Sequence, residues 1–340
     1  MSVDLLTLGE AMVSLRSAGP LSAGGSLGMH VAGAESNVAV GVARLGHRVA
    51  WAGVVGADPH GEFILRGLRG EGIDVRHRVE DTRGTGVMFL ERRTADISRA
   101  FYYRAGSAGS TLNRHDVDRA FAAAPRALHL TGITPALSPD ARRAVEYAAA
   151  RGAAEGLTVS LDVNYRAKLW SRDEARAVLT PLARHAAVLI ASDDELDLVA
   201  DGGARGRQGT GAAAADPVAG AAAQSAGAER EAAMAAELLG RGVLDVVVKR
   251  GAAGAGVYTA AGRLEAPAVP VTSIDTVGAG DAFTAGYLSA LLEGLGTAER
   301  LRRGTLAGAF AVSSAGDCEG LPTAAELALL GAVPDGGTQR

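Results

Sequence analysis

Short runs of the chain are apolar at nearly every position: residues 5–8, 49–55, 127–131, 158–163, 187–191 and 243–248. A strand that faces water on one side alternates, so unbroken runs of this length indicate strands covered on both faces. Stretches with helical spacing lie between them. Residues 37–45 form one, stopped by Gly46, and residues 61–71 another, stopped by Gly72. A third, residues 139–151, follows the capping residue Ser138 and places Pro139 at the first helical position. Strands alternating with helices predict an α/β fold: a doubly wound, mostly parallel sheet flanked by helices.

Two regions break this rhythm. Residues 12–34 and 76–111 are rich in glycine, arginine and alternating apolar positions. Within the second, residues 86–91 and 99–104 read as two strands of a small antiparallel sheet. Such a sheet could close as a β lid over the C-terminal edge of the main one; it reads equally as a β excursion with no closing role. The main domain is then expected from residues 1–11, 35–75 and 112–340. Residues 202–228 are almost entirely Gly, Ala, Gln, Arg and Ser. They cannot build a core and read as a low-complexity surface insertion, in which a helix of alanines is conceivable.

Composition narrows the function classes. The chain has 340 residues, of which 48% are hydrophobic, enough for one large α/β domain with or without a small one. Its net charge is −4 and it has no basic run, which argues against nucleic acid as a partner. Lys168 and Lys249 are the only lysines, so the arginine excess reads as compositional bias. A single cysteine, Cys318, gives no disulfide framework within the chain. No apolar run is long enough for a bilayer, and residues 3–8 begin directly as a strand without a leader. A soluble, cytoplasmic protein is the expectation.

The chemistry concentrates in Asp275-Thr276-Val277-Gly278-Ala279-Gly280-Asp281, followed by the apolar residues 282–292. Glycines open a helix there, and its unpaired N–H groups attract an anion. Gly278 and Gly280 remove the side chains that would block phosphate oxygens. A dipole-complementing aspartate alone would contribute about 0.3–1 kcal/mol and would not need the small residues before it. Asp281 therefore reads as a base that takes a proton from an attacking hydroxyl.

Ligands of open α/β sheets bind beyond the carboxyl ends of the strands. Thr131-Gly132, then Asp162, Asn164 and Arg166, then Ser192 and Glu195, then Lys249-Arg250-Gly251 all fall there. Each group alone is explained by caps and turns; their repetition at one edge points to a site. Tyr102 and Arg104 share one face of their strand, as a surface pair or as a grip for a hydroxylated acid. No Gly-x-x-x-x-Gly-Lys-Ser/Thr is present, no Gly-x-Gly-x-x-Gly follows the first strand, and the histidines lack metal-ligand spacing. His129 reads as a core residue and Cys318 as a bystander.

The 275–281 block resembles the C-terminal signature of the ribokinase-like (PfkB) carbohydrate kinases. Gly33-Ala34-Glu35-Ser36-Asn37-Val38-Ala39, with Ala43-Arg44-Leu45-Gly46 downstream, resembles that family's N-terminal sugar-binding segment. Within the family, residues 101–108, 132–138 and 161–166 are similar to kinases of 2-keto-3-deoxygluconate. The resemblance covers nearly the whole chain outside 202–228. It implies ATP and Mg²⁺ as cofactors and a small sugar acid as substrate. By it, Gly33, Ala34 and Asn37 would hold sugar hydroxyls. Tyr102, Arg104 and Arg166 would bind the keto-acid end, with Ile133 and Asp317 also facing the substrate. Gly278, Ala279, Gly280 and Asp281 would form the catalytic turn. Ser192, Lys249, Gly251, Gly254, Gly278 and Gly280 would contact the nucleotide, with Thr305 on the adenine side. Glu195 would place Mg²⁺ through water.

Ser192 and Thr305 stand where many relatives carry Asn, and Met88 where this branch often carries Tyr. A monovalent cation as a further cofactor is left open. Open lid edges favour pairing between subunits, so a homo-oligomer is expected. Kinases of fructose, ribose or a related deoxy sugar acid, and a sugar- or nucleotide-binding regulator without catalysis, are the other readings.

Overall fold

The computed structural model describes residues 2–94, 97–202, 217–314 and 316–332. The first half of the chain runs β1 (Leu5–Leu8), β2 (Met12–Ser17), β3 (Gly28–Ala32), α1 (Ala34–Arg44), β4 (Val49–Gly56), α2 (Pro59–Gly70), β5 (Asp74–Glu80), β6 (Val87–Arg92), β7 (Ser98–Tyr103), α3 (Arg114–Phe121), β8 (Ala127–Thr131), α4 (Pro139–Ala154) and β9 (Thr158–Asp162). The second half runs α5 (Arg172–Ala183), β10 (Val188–Ser192), α6 (Pro217–Gly240), β11 (Asp245–Lys249), β12 (Ala255–Thr259), β13 (Gly262–Ala266), α7 (Ala279–Leu292), α8 (Thr297–Val312) and α9 (Ala324–Ala332).

Nine strands form the large sheet in the order β13-β12-β11-β10-β9-β8-β1-β4-β5. Neighbours from β5 to β11 are parallel, and β12 and β13 add an antiparallel edge. The expected doubly wound, mostly parallel α/β architecture is therefore present. Its strands are covered on both faces. On β11, Val246 and Val248 join the layer of α3, α4, α5 and α6, while Val247 between them meets α7 and α8. On β1, Leu6 and Leu8 face the first layer and Leu5 the layer of α1, α2 and α7. This period of two produces the unbroken apolar runs of the sequence.

The second sheet has the order β3-β2-β6-β7. It is mixed rather than antiparallel: β6 pairs antiparallel with β7 but parallel with β2. Two boundaries also differ from the sequence reading. Residues 76–80 belong to β5 and pair with β4 in the large sheet. Ala108 and Leu112 pack in the core beneath α3 and α4, so the polypeptide has already left the small sheet by then. The 202–228 segment falls partly on residues 203–216, which lie outside the described residues; from Pro217 it is helical.

Helix starts separate into two kinds. Asp58, Asn113, Ser138 and Ser171 cap α2, α3, α4 and α5 through their side chains. The helices α1, α7 and α8 begin on Gly33, Gly278 and Gly296 without a side-chain cap. Helix α1 starts three residues before the run read from sequence, because Gly33 ends β3's excursion and admits the helix at once.

Candidate active site

The site is built where α1 and α7 begin. Gly278 has φ 79°, a left-handed conformation, and a Cβ there would lie 2.5 Å from the carbonyl oxygen of Asp317. Both facts require glycine. The left-handed residue turns the chain so that the next amides start α7, with Asp281 in its first turn. Gly280 has ordinary φ; a Cβ on it would stand 3.5 Å from the Lys249 Nζ. An ammonium thus lies beside the first turn of α7, where the Ala279 amide makes only a long hydrogen bond of 3.4 Å to the Thr276 carbonyl, an arrangement that suits a phosphoryl group.

Asp281 is half-buried, and Asn37 Nδ2 donates to its Oδ2 at 2.8 Å across 244 residues of sequence. Burial pushes its carboxyl up to about 6, against the Asn37 hydrogen bond and the charge of Arg166. The charges of Asp162 and Lys249 act in opposite directions on it. A carboxylate that ionises near neutrality and is oriented by an amide fits a general base. Asn37 is buried, and its Oδ1 has no hydrogen-bond partner among the described residues. A substrate hydroxyl would satisfy it.

Lys249 ends β11 and its Nζ donates to Asp162 Oδ2 at 2.7 Å. Thr284, one turn after Asp281, donates to the same oxygen at 2.9 Å. The other Asp162 oxygen, Oδ1, is buried without a partner among the described residues. Glu195 is also buried; it accepts from the Tyr165 amide at 2.7 Å and the Ser192 amide at 2.9 Å. Burial, then the charge of Asp162, holds its carboxyl above the ordinary range, with Lys249 opposing. Just beyond β9, Asn164 adopts φ 43°, a left-handed conformation rare outside glycine and tolerated by asparagine. Among the described residues no group of three metal-ligating side chains converges. Asp162 and Glu195 suit a Mg²⁺ that keeps its waters and takes most other ligands from a nucleotide.

Gly33 caps α1 at φ 138°, where a Cβ would fall 2.5 Å from the Glu10 carbonyl oxygen. Ala34 follows it, buried. Glu35 is completely enclosed, and the hydroxyls of Thr131 and Thr134 both donate to its Oε1 at 2.6 Å. Burial raises its carboxyl above the ordinary range. This pair of threonines ties the start of α1 to the end of β8 and the turn containing Ile133, which is buried.

Arg104 is not a free cation. It is 8% exposed and ion-paired with Glu10, itself 1% exposed, and the Ser107 hydroxyl donates to that same carboxylate. Tyr102 is 40% exposed on the small sheet, on the same face as Met88 and Ser14, with which it is in register. Lys168 donates to the Ala100 carbonyl at 2.9 Å and stands 5.4 Å over the Tyr102 ring, which brings the 164–170 segment against β7. Arg166 is exposed on that segment. Tyr102 and Arg166 are thereby brought to one side of the site, and Arg104 to its floor.

The remaining residues scatter in role. Ser192 is at the site through its amide. Gly251, exposed with φ 54°, and Gly254, with φ 88° and room only for hydrogen beside the Ala266 carbonyl, shape the turn between β11 and β12. Thr305 is buried in α8, and its hydroxyl is taken by its own helix at the Arg302 carbonyl, 2.9 Å away. The Asp317 carboxylate is buried against Arg16, 3.0 Å away, so in this structure it meets an arginine rather than open space. His129 is wholly buried in β8 with its imidazole pushed down to about 4, and burial holds the Cys318 thiol up to about 12; neither is placed for chemistry.

Glu10, Arg16, Glu35 and Lys168 were invisible as site-supporting residues in the sequence. The single local sign was their type: carboxylates at 10 and 35 in otherwise small or apolar surroundings.

The family model of the pfkB family carbohydrate kinases matches residues 3–324. A 2-dehydro-3-deoxygluconokinase of Bacillus subtilis (strain 168) is 34% identical over 338 residues, 96% of this chain and 95% of that protein. A 2-dehydro-3-deoxygluconokinase of Thermoproteus tenax is 36% identical over 331 residues, 95% of this chain and 93% of that one. The crystal structure of a PfkB protein from Polaromonas sp. JS666 is 34% identical and superposes with TM-score 0.80, covering 96% of this chain and 99% of its own. With the glycine turn, the Asp281 carboxylate and the Lys249 ammonium in one place on this fold, and the family model matched over nearly the whole length, the chain belongs to the pfkB family of carbohydrate kinases.

Proposed function

We propose that the chain transfers the terminal phosphoryl group of ATP to the terminal hydroxyl of 2-keto-3-deoxygluconate. One observation carries the reading: Asn37 and Asp281, from opposite ends of the chain, hydrogen-bond at the mouth of α7, beside the Lys249 ammonium that flanks Gly280. The identity to two relatives named 2-dehydro-3-deoxygluconokinase supports the choice of acceptor.

In this mechanism Asn37, with the backbone at Gly33 and Ala34, holds the sugar hydroxyls. Arg166 and Tyr102 receive the keto-acid end, and Arg104 contributes what charge its pairing with Glu10 leaves. Asp281, ionised, accepts the proton of the terminal hydroxyl as that oxygen attacks phosphorus. The amides of Ala279 and Gly280 and the ammonium of Lys249 stabilise the equatorial oxygens in the transition state. Mg²⁺, held by the nucleotide and through water by Glu195 and Asp162, would supply further charge neutralisation. The small sheet acts as a lid that excludes water, the competing acceptor. Its edge strands β3 and β7 offer a pairing edge to a second copy, which makes a homo-oligomer the expected assembly. Among the described residues no helix is long and apolar enough to cross a membrane.

The test is ADP release on a sugar panel with and without Mg²⁺. Turnover on 2-keto-3-deoxygluconate well above fructose and ribose is expected. Equal rates on all three would reject the sugar-acid assignment, and ligand-induced stabilisation without ADP would favour a non-catalytic binder.

A further inference from the structure

The phosphate turn is gripped from the small sheet. Arg16, on β2, places NH1 2.6 Å from Asp275 Oδ2 and NH2 3.0 Å from Asp317 Oδ2. Its side chain is 13% exposed, so these pairs are shielded from solvent and less weakened by salt than surface ones. Both carboxylates it holds shape the turn. Asp275 Oδ1 accepts the Val277 amide at 3.0 Å, which bends the chain into Gly278. The backbone carbonyl of Asp317 lies directly against Gly278. On β6, Arg92 donates to the Ile274 carbonyl at 2.8 Å. On β3, His30 meets Glu319 at 2.7 Å.

Three strands of the small sheet therefore each hold a cationic or titratable side chain on residues 274–275 or 317–319. The opposite side of the turn is fixed to the main domain, where the amides of Ile274 and Asp275 both donate to the Val312 carbonyl. Residues 274–278 are thus suspended between the two sheets' structures. Movement of the small sheet would pull on the loop that cradles phosphate, and among the described residues Arg16 is the side chain ion-paired to both of its walls.

We propose that Arg16 is a positioning residue that couples sugar binding at the small sheet to nucleotide binding at the Gly278–Asp281 turn. It touches neither ligand; it acts through Asp275 and Asp317. The inference rests on the kinase reading above. It adds that the two substrates bind with positive cooperativity and that the coupling runs through this guanidinium. By linkage the effect is reciprocal: nucleotide tightens sugar by the same factor.

Calorimetry on the full chain tests this with Mg²⁺ and a non-hydrolysable ATP analogue, titrated with and without saturating 2-keto-3-deoxygluconate, or the sugar that the wild type phosphorylates best. In the wild type the sugar should tighten the analogue by about 5–150-fold, the usual span of such couplings. In Arg16→Gln that factor should fall below about twofold while the analogue's affinity without sugar changes less than about threefold, an order-of-magnitude criterion. Arg16→Lys, which can reach one carboxylate at a time, should retain part of it. Asp275→Asn, a milder change that keeps the loop's hydrogen bonds, should lose coupling as Arg16→Gln does, so a poorly folding Arg16→Gln leaves the question answerable. Full coupling in either variant, equal loss of analogue affinity with and without sugar, or no coupling in the wild type would overturn the proposal. A wild type that phosphorylates no sugar would instead overturn the kinase reading, a separate result from the sugar panel.

Discussion

Asp281→Asn should abolish turnover and stabilise the protein, and the stabilisation should depend on pH. The Asp281 carboxyl stands at about 6 in the folded chain against 3.8 for an unperturbed aspartate. Each unit of difference corresponds to about 1.4 kcal/mol, so holding this group ionised costs the folded state at most about 3 kcal/mol at pH 8. Asp281 is half-buried, and solvent screening reduces the figure; about 1–2 kcal/mol is the working expectation. The sign follows from the raised value. Below about pH 4 the acid is protonated whether the chain is folded or not, and the cost is absent. It grows as pH rises toward 6 and is then constant. Asparagine carries no charge and still accepts from Asn37, so it escapes the cost.

For a chain of this length the unfolding entropy is roughly 0.7 kcal/mol per degree, so the gain is a rise in Tm of about 1–3 °C at pH 8, and about half that at pH 5. Differential scanning calorimetry at the two pH values, paired with coupled ADP release, reads both effects. Loss of the base should lower kcat by at least about 100-fold. A variant with a lowered Tm at both pH values, or a gain independent of pH, would refute the assignment of an energetically strained carboxylate. Retained activity would refute the base.

Three further outcomes are expected. The wild-type kcat/KM should rise with pH along a limb centred near 6, the value for Asp281, when followed from pH 5 to 8 in a constant-ionic-strength buffer series; a flat profile counts against it. Gly278→Ala should cost about 1–3 kcal/mol of stability in urea titrations and most of the activity, because the left-handed φ and the Asp317 carbonyl both exclude a methyl group. Arg166→Ala should raise KM for acid sugars with little change in Tm, whereas Arg104→Ala should lower Tm as well, since it strands buried Glu10 at a cost of about 3–5 kcal/mol; equal effects of both variants on stability would contradict the different burial of the two arginines.

Some of this structure could be read directly from the residues. β1 and β8 occupy the runs marked by their apolar residues, and the remaining buried parallel strands shift by one or two positions, because burial on both faces leaves an unbroken apolar trace. Edge strands leave none. β5 carries Asp74, Arg76, His77, Arg78 and Glu80 and looks like a loop until Val75 and Val79 are seen paired with β4. β13 is no clearer, with Arg263 and Glu265 exposed at the sheet's margin. At the site, Gly278 and Asp281 were legible because a local turn needs both within four residues. The pairs Glu10–Arg104, Asp162–Lys249 and Arg16–Asp317 were not. Their members lie far apart in sequence, on strands or in the loops beside them, and nothing periodic along the chain records which distant partner a charge will meet. The Arg104 reading illustrates the result: its type suggested a carboxylate grip, and the fold had already given it a carboxylate of its own.

Two of the helices that open on glycine, α1 and α7, have a thermodynamic consequence for the substrates themselves. The helices α2 to α5 finish their starts with an aspartate, asparagine or serine, which satisfies one or two of their N-terminal amides from within the chain. At Gly33 and Gly278 that completion is left to whatever binds. Sugar hydroxyls and phosphate oxygens would then serve as missing parts of the fold as well as reactants, and each would raise the melting temperature in proportion to the logarithm of its concentration over its Kd. Neither glycine admits a capping side chain, since a Cβ at either would meet a backbone carbonyl oxygen at 2.5 Å, so the fold cannot complete these two ends with a residue of its own.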